Sequence, residues 1–233
     1  MSLRKICKIE IKNDQVVKGI QFEGVKKICS INDAIQIATA KGAEEIFLID
    51  NTKSLFGLEP NFSMLLKAAK ISSLPITFGG GIKTLDHAMK SYSIGASRVY
   101  INTALAKNHK LAAEIAYRCG RQSLSGGIEY RSDVSISYEC FTESGREPLN
   151  ISANERINLE ANYVSEFILS SITNDGTMNG PDLDILDSIE IKNIPLILCG
   201  GIDIERDEEK ISKKFEKCKH LSGYAASSYF LIK

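Results

Sequence analysis

Glu10 and Glu129 stand at matching places in the two halves of this chain, each closing an apolar, strand-like run, the first and the fifth. Two facing carboxyl groups can divide general-acid and general-base work. Glu10 is assigned the base and Glu129 the acid, an assignment the sequence equally allows to be reversed; solvation, or pairing with a lysine such as Lys12 or Lys18, is the competing account. Two glycine-rich turns repeat in the same way. Thr77-Phe78-Gly79-Gly80-Gly81-Ile82 is echoed by Leu198-Cys199-Gly200-Gly201-Ile202. Glycine lets backbone N–H groups come close to an anion, and a helix start behind the turn adds the positive end of a dipole. Asn102 and Thr103 close the strand after the first turn, and Ala226 and Ser227 close the strand after the second, so each pair completes a cup. Asp175 and Gly176 add to the second cup, and Lys18, Asp50 and Ser170 complete the candidate ligand-binding set. Two cups on opposite sides of one mouth imply a long ligand with a phosphate at each end; glycines that only make tight turns are the alternative. Arg4, Glu45, Arg98 and Glu166 begin the first, second, fourth and sixth strand-like runs. Four alternating charges at one mouth could close into a ring of salt bridges, either gating the axis or only stabilising it.

The hydrophobic pattern supplies a scaffold for these groups. Apolar runs over 5–11, 45–49, 75–78, 98–101, 123–128, 166–170, 195–198 and 223–226 predict strands. Amphipathic stretches over 33–40, 62–71, 85–91, 109–119, 155–163, 183–190 and 206–217 predict helices between them, with Asn61, Thr84, Asn108 and Asp182 as N-caps. Alternating β and α with buried, branched strands predicts a parallel sheet, and eight strands predict closure into an α/β fold of the (β/α)8 TIM-barrel class. The active site of such a barrel lies at the C-terminal ends of its strands. Tyr100-Ile101-Asn102-Thr103-Ala104 and Tyr224-Ala225-Ala226-Ser227 fall on the same offset as the carboxylates and glycine turns. The expectation is one domain, residues 1–233, made of two fused half-barrels, about 1–121 and 122–233.

Composition narrows the function. With 29 basic and 29 acidic side chains the formal net charge is zero, which disfavours nucleic acid as a partner. No apolar run reaches the length of a membrane span, and MSLRKICKIEIKND is too charged for a secretion signal. The six cysteines form no CxxC pair and none is matched to a histidine. No metal and no cofactor is expected, and reduced thiols fit a cytoplasmic protein.

These motifs resemble the cyclase subunit of imidazole glycerol phosphate synthase. Residues 12–23, KNDQVVKGIQFE, resemble that family's first strand and loop, and Phe78–Ile82, Ile101–Ala104, Asn174–Thr177 and Ala225–Ser227 resemble its phosphate-binding turns in order. The resemblance covers about residues 4 to 230. It implies a glutaminase partner at the N-terminal face, ammonia travelling along the barrel axis, and a bisphosphorylated ribulosylamino-imidazole carboxamide at the far mouth. It also implies that Arg4, Glu45, Arg98 and Glu166 form the ammonia gate. The chain departs from the family at informative places. Glu10 and Glu129 replace two aspartates; each added methylene moves a carboxyl by about 1.5 Å, a displacement that can cost on the order of a hundredfold in rate. Lys27-Ile28-Cys29-Ser30-Ile31 replaces an Asp-Ser-Gly-Asp-Pro-like stretch in the loop that closes over substrate. Arg98 replaces the gate lysine, and Ser97 an acidic residue that meets the glutaminase. The family's last helix is expected to be shortened, leaving an apolar flank as a partner surface. Three functions compete. One is the cyclase itself. A second is a diverged ammonia-channelling subunit that supplies a sugar amidotransferase for cell-surface polysaccharide synthesis. The third is the pathway's sister isomerase, which needs no gate, so the four gate charges count against it.

Overall fold

The computed structural model describes residues 3–132, 134–191 and 193–232. In chain order the first half holds β1 (Arg4–Lys12), β2 (Gln15–Ile20), β3 (Glu23–Lys27), α1 (Ile31–Ala40), β4 (Glu45–Ile49), α2 (Asn51–Leu55), α3 (Phe62–Ile71), β5 (Ile76–Gly79), α4 (Leu85–Ile94), β6 (Arg98–Ile101), α5 (Thr103–Lys107) and α6 (His109–Cys119). The second half holds β7 (Leu124–Arg131), β8 (Glu139–Thr142), β9 (Glu147–Ser152), α7 (Ala153–Glu160), β10 (Glu166–Ser171), α8 (Ile185–Ser188), β11 (Leu196–Cys199), α9 (Ile204–Lys217), β12 (Leu221–Ala226) and α10 (Ser228–Leu231). Strands β1, β4, β5, β6, β7, β10, β11 and β12 pair in parallel in that order, and β12 pairs back onto β1. The result is a closed eight-stranded (β/α)8 barrel, as the alternating pattern predicts.

Side-chain alternation along each strand decides what faces the axis. Cys7, Ile9, Ile46, Leu48, Phe78, Val99, Leu124, Phe167 and Leu198 face outward and join the helices in one large core. Ile6, Phe47, Ile49, Tyr100, Ile168, Ile197, Cys199 and Ala225 face inward and form a second, separate cluster on the axis. Asn61, Thr84 and Asn108 cap α3, α4 and α6 through their side chains, as expected.

The structure corrects several expectations. Residues 15–27 and 139–152 form two antiparallel hairpins over the C-terminal mouth, one extending β1 and one extending β7. Consequently β1 and β7 run on past Glu10 and Glu129, ending at Lys12 and Arg131. Continuous apolar runs flag fully buried strands, whereas β3 is exposed along its length and has no such signature. The helix expected over 183–190 shortens to α8, and its N-cap is Asp184 rather than Asp182. The last helix is short, yet it buries Phe230 and Leu231, leaving Ile232 exposed on the expected apolar flank. No helix among the described residues is long and apolar enough to cross a membrane.

Candidate active site

β1 carries Arg4, Ile6, Lys8 and Glu10 on its inward face, so one strand touches every level of the axis. At the C-terminal level Lys8 and Glu10 enter a closed square of charges. Lys8 Nζ lies 2.9 Å from Glu10 Oε1 and 3.0 Å from Asp175 Oδ1. Lys18 Nζ, delivered by β2, lies 3.0 Å from Glu10 Oε2 and 3.5 Å from Asp175 Oδ2. All four side chains are buried. Burial alone would raise the Glu10 pKa, but the two ammonium groups outweigh it and hold the carboxyl down to about 2. Burial likewise opposes the charge on Lys8, and Asp175 and Glu10 overcome it, raising its pKa well above the ordinary value.

Glu129, on the inward face of β7, sits in a different environment. Its carboxylate accepts the Gly145 N–H at 3.0 Å from the loop between β8 and β9. Burial pushes its pKa up to about 7, against the pull of Asn102, Arg156 and Lys8. The two carboxyls are therefore unlike: one is ion-paired twice, the other largely desolvated.

The glycine turns form two cups of matching backbone. Gly80 and Gly200 have φ of 103° and 111°, and Gly81 and Gly201 have 74° and 75°, all in the region that favours glycine. A Cβ at Gly81 would stand 2.7 Å from Leu58 O, and one at Gly201 would press on Gly180 O. The first cup gathers Gly80, Gly81, Asn102, Thr103, Glu129 and Ser144. The second gathers Lys8, Lys18, Gly176, Gly200, Gly201 and Ser227, with Asp175 and Ala226 beside them. Ser227 Oγ is buried with no hydrogen-bond partner among the described residues. Between the hairpins and α2 lies a cleft of about 590 Å³, with Glu10, Phe22, Phe56 and Arg146 among its walls.

Two predicted ligand contacts border the cups without lining them. Asp50 is wholly buried and spends its carboxylate on Thr52 N–H and Oγ1 and on Asn61 Nδ2. It caps α2 and ties that helix to α3, so it is not a free rim acid. Ser170 faces inward beside Cys199 and lines neither cup. Sequence reasoning missed Lys8, Tyr100 and Arg156. Fully buried Arg156 donates to Asn102 Oδ1 at 2.7 Å, Asn102 O at 3.1 Å and Glu160 at 3.0 Å, fixing the amide that borders the first cup. Strand alternation alone would have placed Lys8 on the face of Glu10; nothing local marks Arg156, which reads as an ordinary helix surface residue.

At the opposite mouth the four predicted gate residues meet. Arg4 reaches Glu45 at 3.0 Å and Glu166 at 2.6 Å, and Arg98 reaches Glu45 at 3.3 Å and Glu166 at 3.7 Å. Thr77 and Ser125 donate to Glu45 Oε1 and Glu166 Oε1, the oxygens that face Arg98. The ring is closed, with both glutamates buried and both guanidinium groups partly open to solvent. Above it Phe47 and Tyr100 pack with ring centroids 4.9 Å apart.

Paired glycine cups and carboxyls at the C-terminal mouth, with a charge ring at the other, make this an α/β barrel with two differently charged ends to its axis. Residues 6–225 match the family model described as histidine biosynthesis protein, and the chain belongs to that family. It is 34% identical to the imidazole glycerol phosphate synthase subunit HisF of Legionella pneumophila, over 86% of this chain and 96% of that protein. It is 35% identical to the putative imidazole glycerol phosphate synthase subunit hisF2 of Pseudomonas aeruginosa, over 95% of this chain and 88% of that protein. With the putative subunit hisF3 of Vibrio vulnificus it shares 28% identity over 99% of this chain and 88% of that protein.

Proposed function

We propose that this chain is a cyclase subunit of the imidazole glycerol phosphate synthase type, acting in the cytoplasm in histidine biosynthesis. A glutaminase docks at the N-terminal face and releases ammonia, which passes the ring of Arg4, Glu45, Arg98 and Glu166. At the C-terminal mouth the ammonia meets a bisphosphorylated ribulosylamino-imidazole carboxamide and yields imidazole glycerol phosphate and aminoimidazole carboxamide ribotide. The observation that carries this reading is the axial arrangement: a closed charge ring at one end, two carboxyls between two anion cups at the other. The unpartnered Ser227 hydroxyl supports a phosphate in the second cup. The matched glycine conformations support an origin as two fused half-barrels. Glu129, protonated through much of the neutral range, is the acid; Glu10 is the facing carboxylate in the base's position.

The test is turnover of the purified chain with the bisphosphorylated substrate and saturating ammonium salt, assaying imidazole glycerol phosphate directly. The expected result is product formation that falls roughly 10²–10⁴-fold in Glu129→Gln. Substrate that binds without turning over would overturn the cyclase reading. The double ion pairing of Glu10 favours a second reading, because it weakens that carboxylate as a base. In that reading the barrel passes ammonia to a sugar amidotransferase of cell-surface polysaccharide synthesis. Its signature would be no cyclase turnover, together with glutamine-dependent activity of such an enzyme only when barrel and glutaminase are both present.

A further inference from the structure

We propose that Lys8 is a positioning residue that holds Glu10 as an anion in the substrate-free site, so that of the two carboxyls only Glu129 titrates there across neutral pH. The proposal deepens the cyclase reading and borrows from it only the pairing of the two carboxyls.

The geometry is specific. Lys8 projects into the barrel from the same strand as Glu10 and lies two residues before it, so the two side chains share one face of β1. The Lys8 ammonium occupies the side of Glu10 that Lys18 leaves open, one nitrogen on each carboxylate oxygen. Asp175 closes the square from the loop after β10, and Cys199 approaches from β11. The Phe22 ring covers Lys8 from the first hairpin, 5.1 Å from the ammonium. Lys8 is 3% exposed, and an ammonium so deeply desolvated persists only with anionic partners. Protonating Glu10 would leave two buried ammonium groups facing one carboxylate, a state the square strongly disfavours. Glu129 has no such clamp. Arg156 from α7, Lys8 from β1, Tyr100 from β6, Asn102 just after it and the Gly145 N–H surround it, and no ammonium or guanidinium forms an ion pair with it among the described residues. An opposite charge within about 4–6 Å shifts a carboxyl by about 1–3 pH units, enough to separate the two glutamates.

The experiment is a ¹³C NMR titration of protein labelled at glutamate Cδ, from pH 4 to 9, without substrate. Glu10→Gln and Glu129→Gln assign the two resonances. In the unaltered protein Glu10 should stay flat over the whole range while Glu129 titrates with a midpoint near 7. A Glu10 midpoint inside the range overturns the proposal. In Lys8→Met the Glu10 midpoint should rise by about 2–3 units, into the titrated range, and Lys8→Arg should restore the flat profile. A Glu10 resonance that stays flat in a folded Lys8→Met shows that Lys18 suffices, and overturns it as well. Should Lys8→Met not fold, the titration of the unaltered protein decides alone. Cyclase inactivity combined with the expected titration would remove the functional reading and leave the role of Lys8 standing.

Discussion

Glu10 and Glu129 show how much a carboxyl depends on its neighbours. Both lie on inward strand positions and both are buried, yet two ammonium groups separate their protonation by several pH units. The consequence reaches stability. The folded-state pKa of Glu129 is raised from 4.5 to about 7. Its contribution is therefore complete below about pH 4.5 and is lost as pH climbs through 7. Glu10 behaves in the opposite sense, stabilising above pH 4.5 and losing that contribution as pH falls through about 2. One pH unit corresponds to about 1.4 kcal/mol, so a penalty on the order of 3 kcal/mol builds up on Glu129 between pH 5 and 8. Glu129→Gln removes the titrating group. Thermal melts at pH 5 and pH 8 should show the variant gaining on the unaltered protein by on the order of 5–10 °C across that interval. A difference independent of pH would mean that Glu129 is ionised without cost at both values.

Elements position these groups by alternation, and there the sequence was legible. Short apolar runs located all eight barrel strands, because burial on both faces demands apolar or small residues, although the eighth, Gly-Tyr-Ala-Ala, carries no branched residue. Of the hairpin strands, β3 and β9 escaped because they lie largely in solvent, and β2 and β8, though Val16 and Cys140 reach the core, because their short runs mix apolar with charged or polar residues; α2 and α5 escaped because five residues carry no helical period. Most of the cup residues were recognisable from glycine and hydroxyl spacing. Asp50 was misread because a capping carboxylate and a rim carboxylate occupy the same place in a strand-turn sequence. Tyr100 was passed over although it decides the packing of the axis. It lies over the glycines of the two strands beside β6: a Cβ at Gly79 would stand 2.6 Å from its Cδ1, and one at Gly127 would collide with its hydroxyl. Gly127→Ala should therefore destabilise the barrel by about 1–3 kcal/mol through overpacking. Adding Tyr100→Phe, which removes the colliding oxygen, should recover part of that loss. Urea unfolding of the two single variants and the double variant measures the coupling, and strict additivity would mean that the two sites do not share the space.

At the scale of the whole molecule, the axis separates two alternating charge squares with an apolar layer. The upper square joins β1, β2 and the loop after β10; the lower ring joins β1, β4, β6 and β10. Neither is held together by sheet hydrogen bonds alone, since β4 and β6 flank β5, and β6 and β10 flank β7. Apart from Arg4–Glu45, which joins the paired strands β1 and β4, the lower ring's bridges therefore couple strands that the sheet does not pair, at the N-terminal end of the barrel. Its glutamates are buried while its arginines remain partly open to water. Removing one arginine leaves the glutamates with a single guanidinium between them. Unpairing a buried charge can cost about 3–5 kcal/mol, and solvent screening at a partly open ring reduces that. Arg4→Met is expected to lose about 1–3 kcal/mol in urea unfolding. Removing Glu45 as well, in Arg4→Met with Glu45→Gln, should be less damaging than the sum of the single changes, because the stranded carboxylate has gone. Additive losses would show that Arg4 and Glu45 contribute independently, with no energetic coupling across their ion pair. The ring would then be no mechanical unit, and a gate that opens and closes as one would have no basis in this barrel.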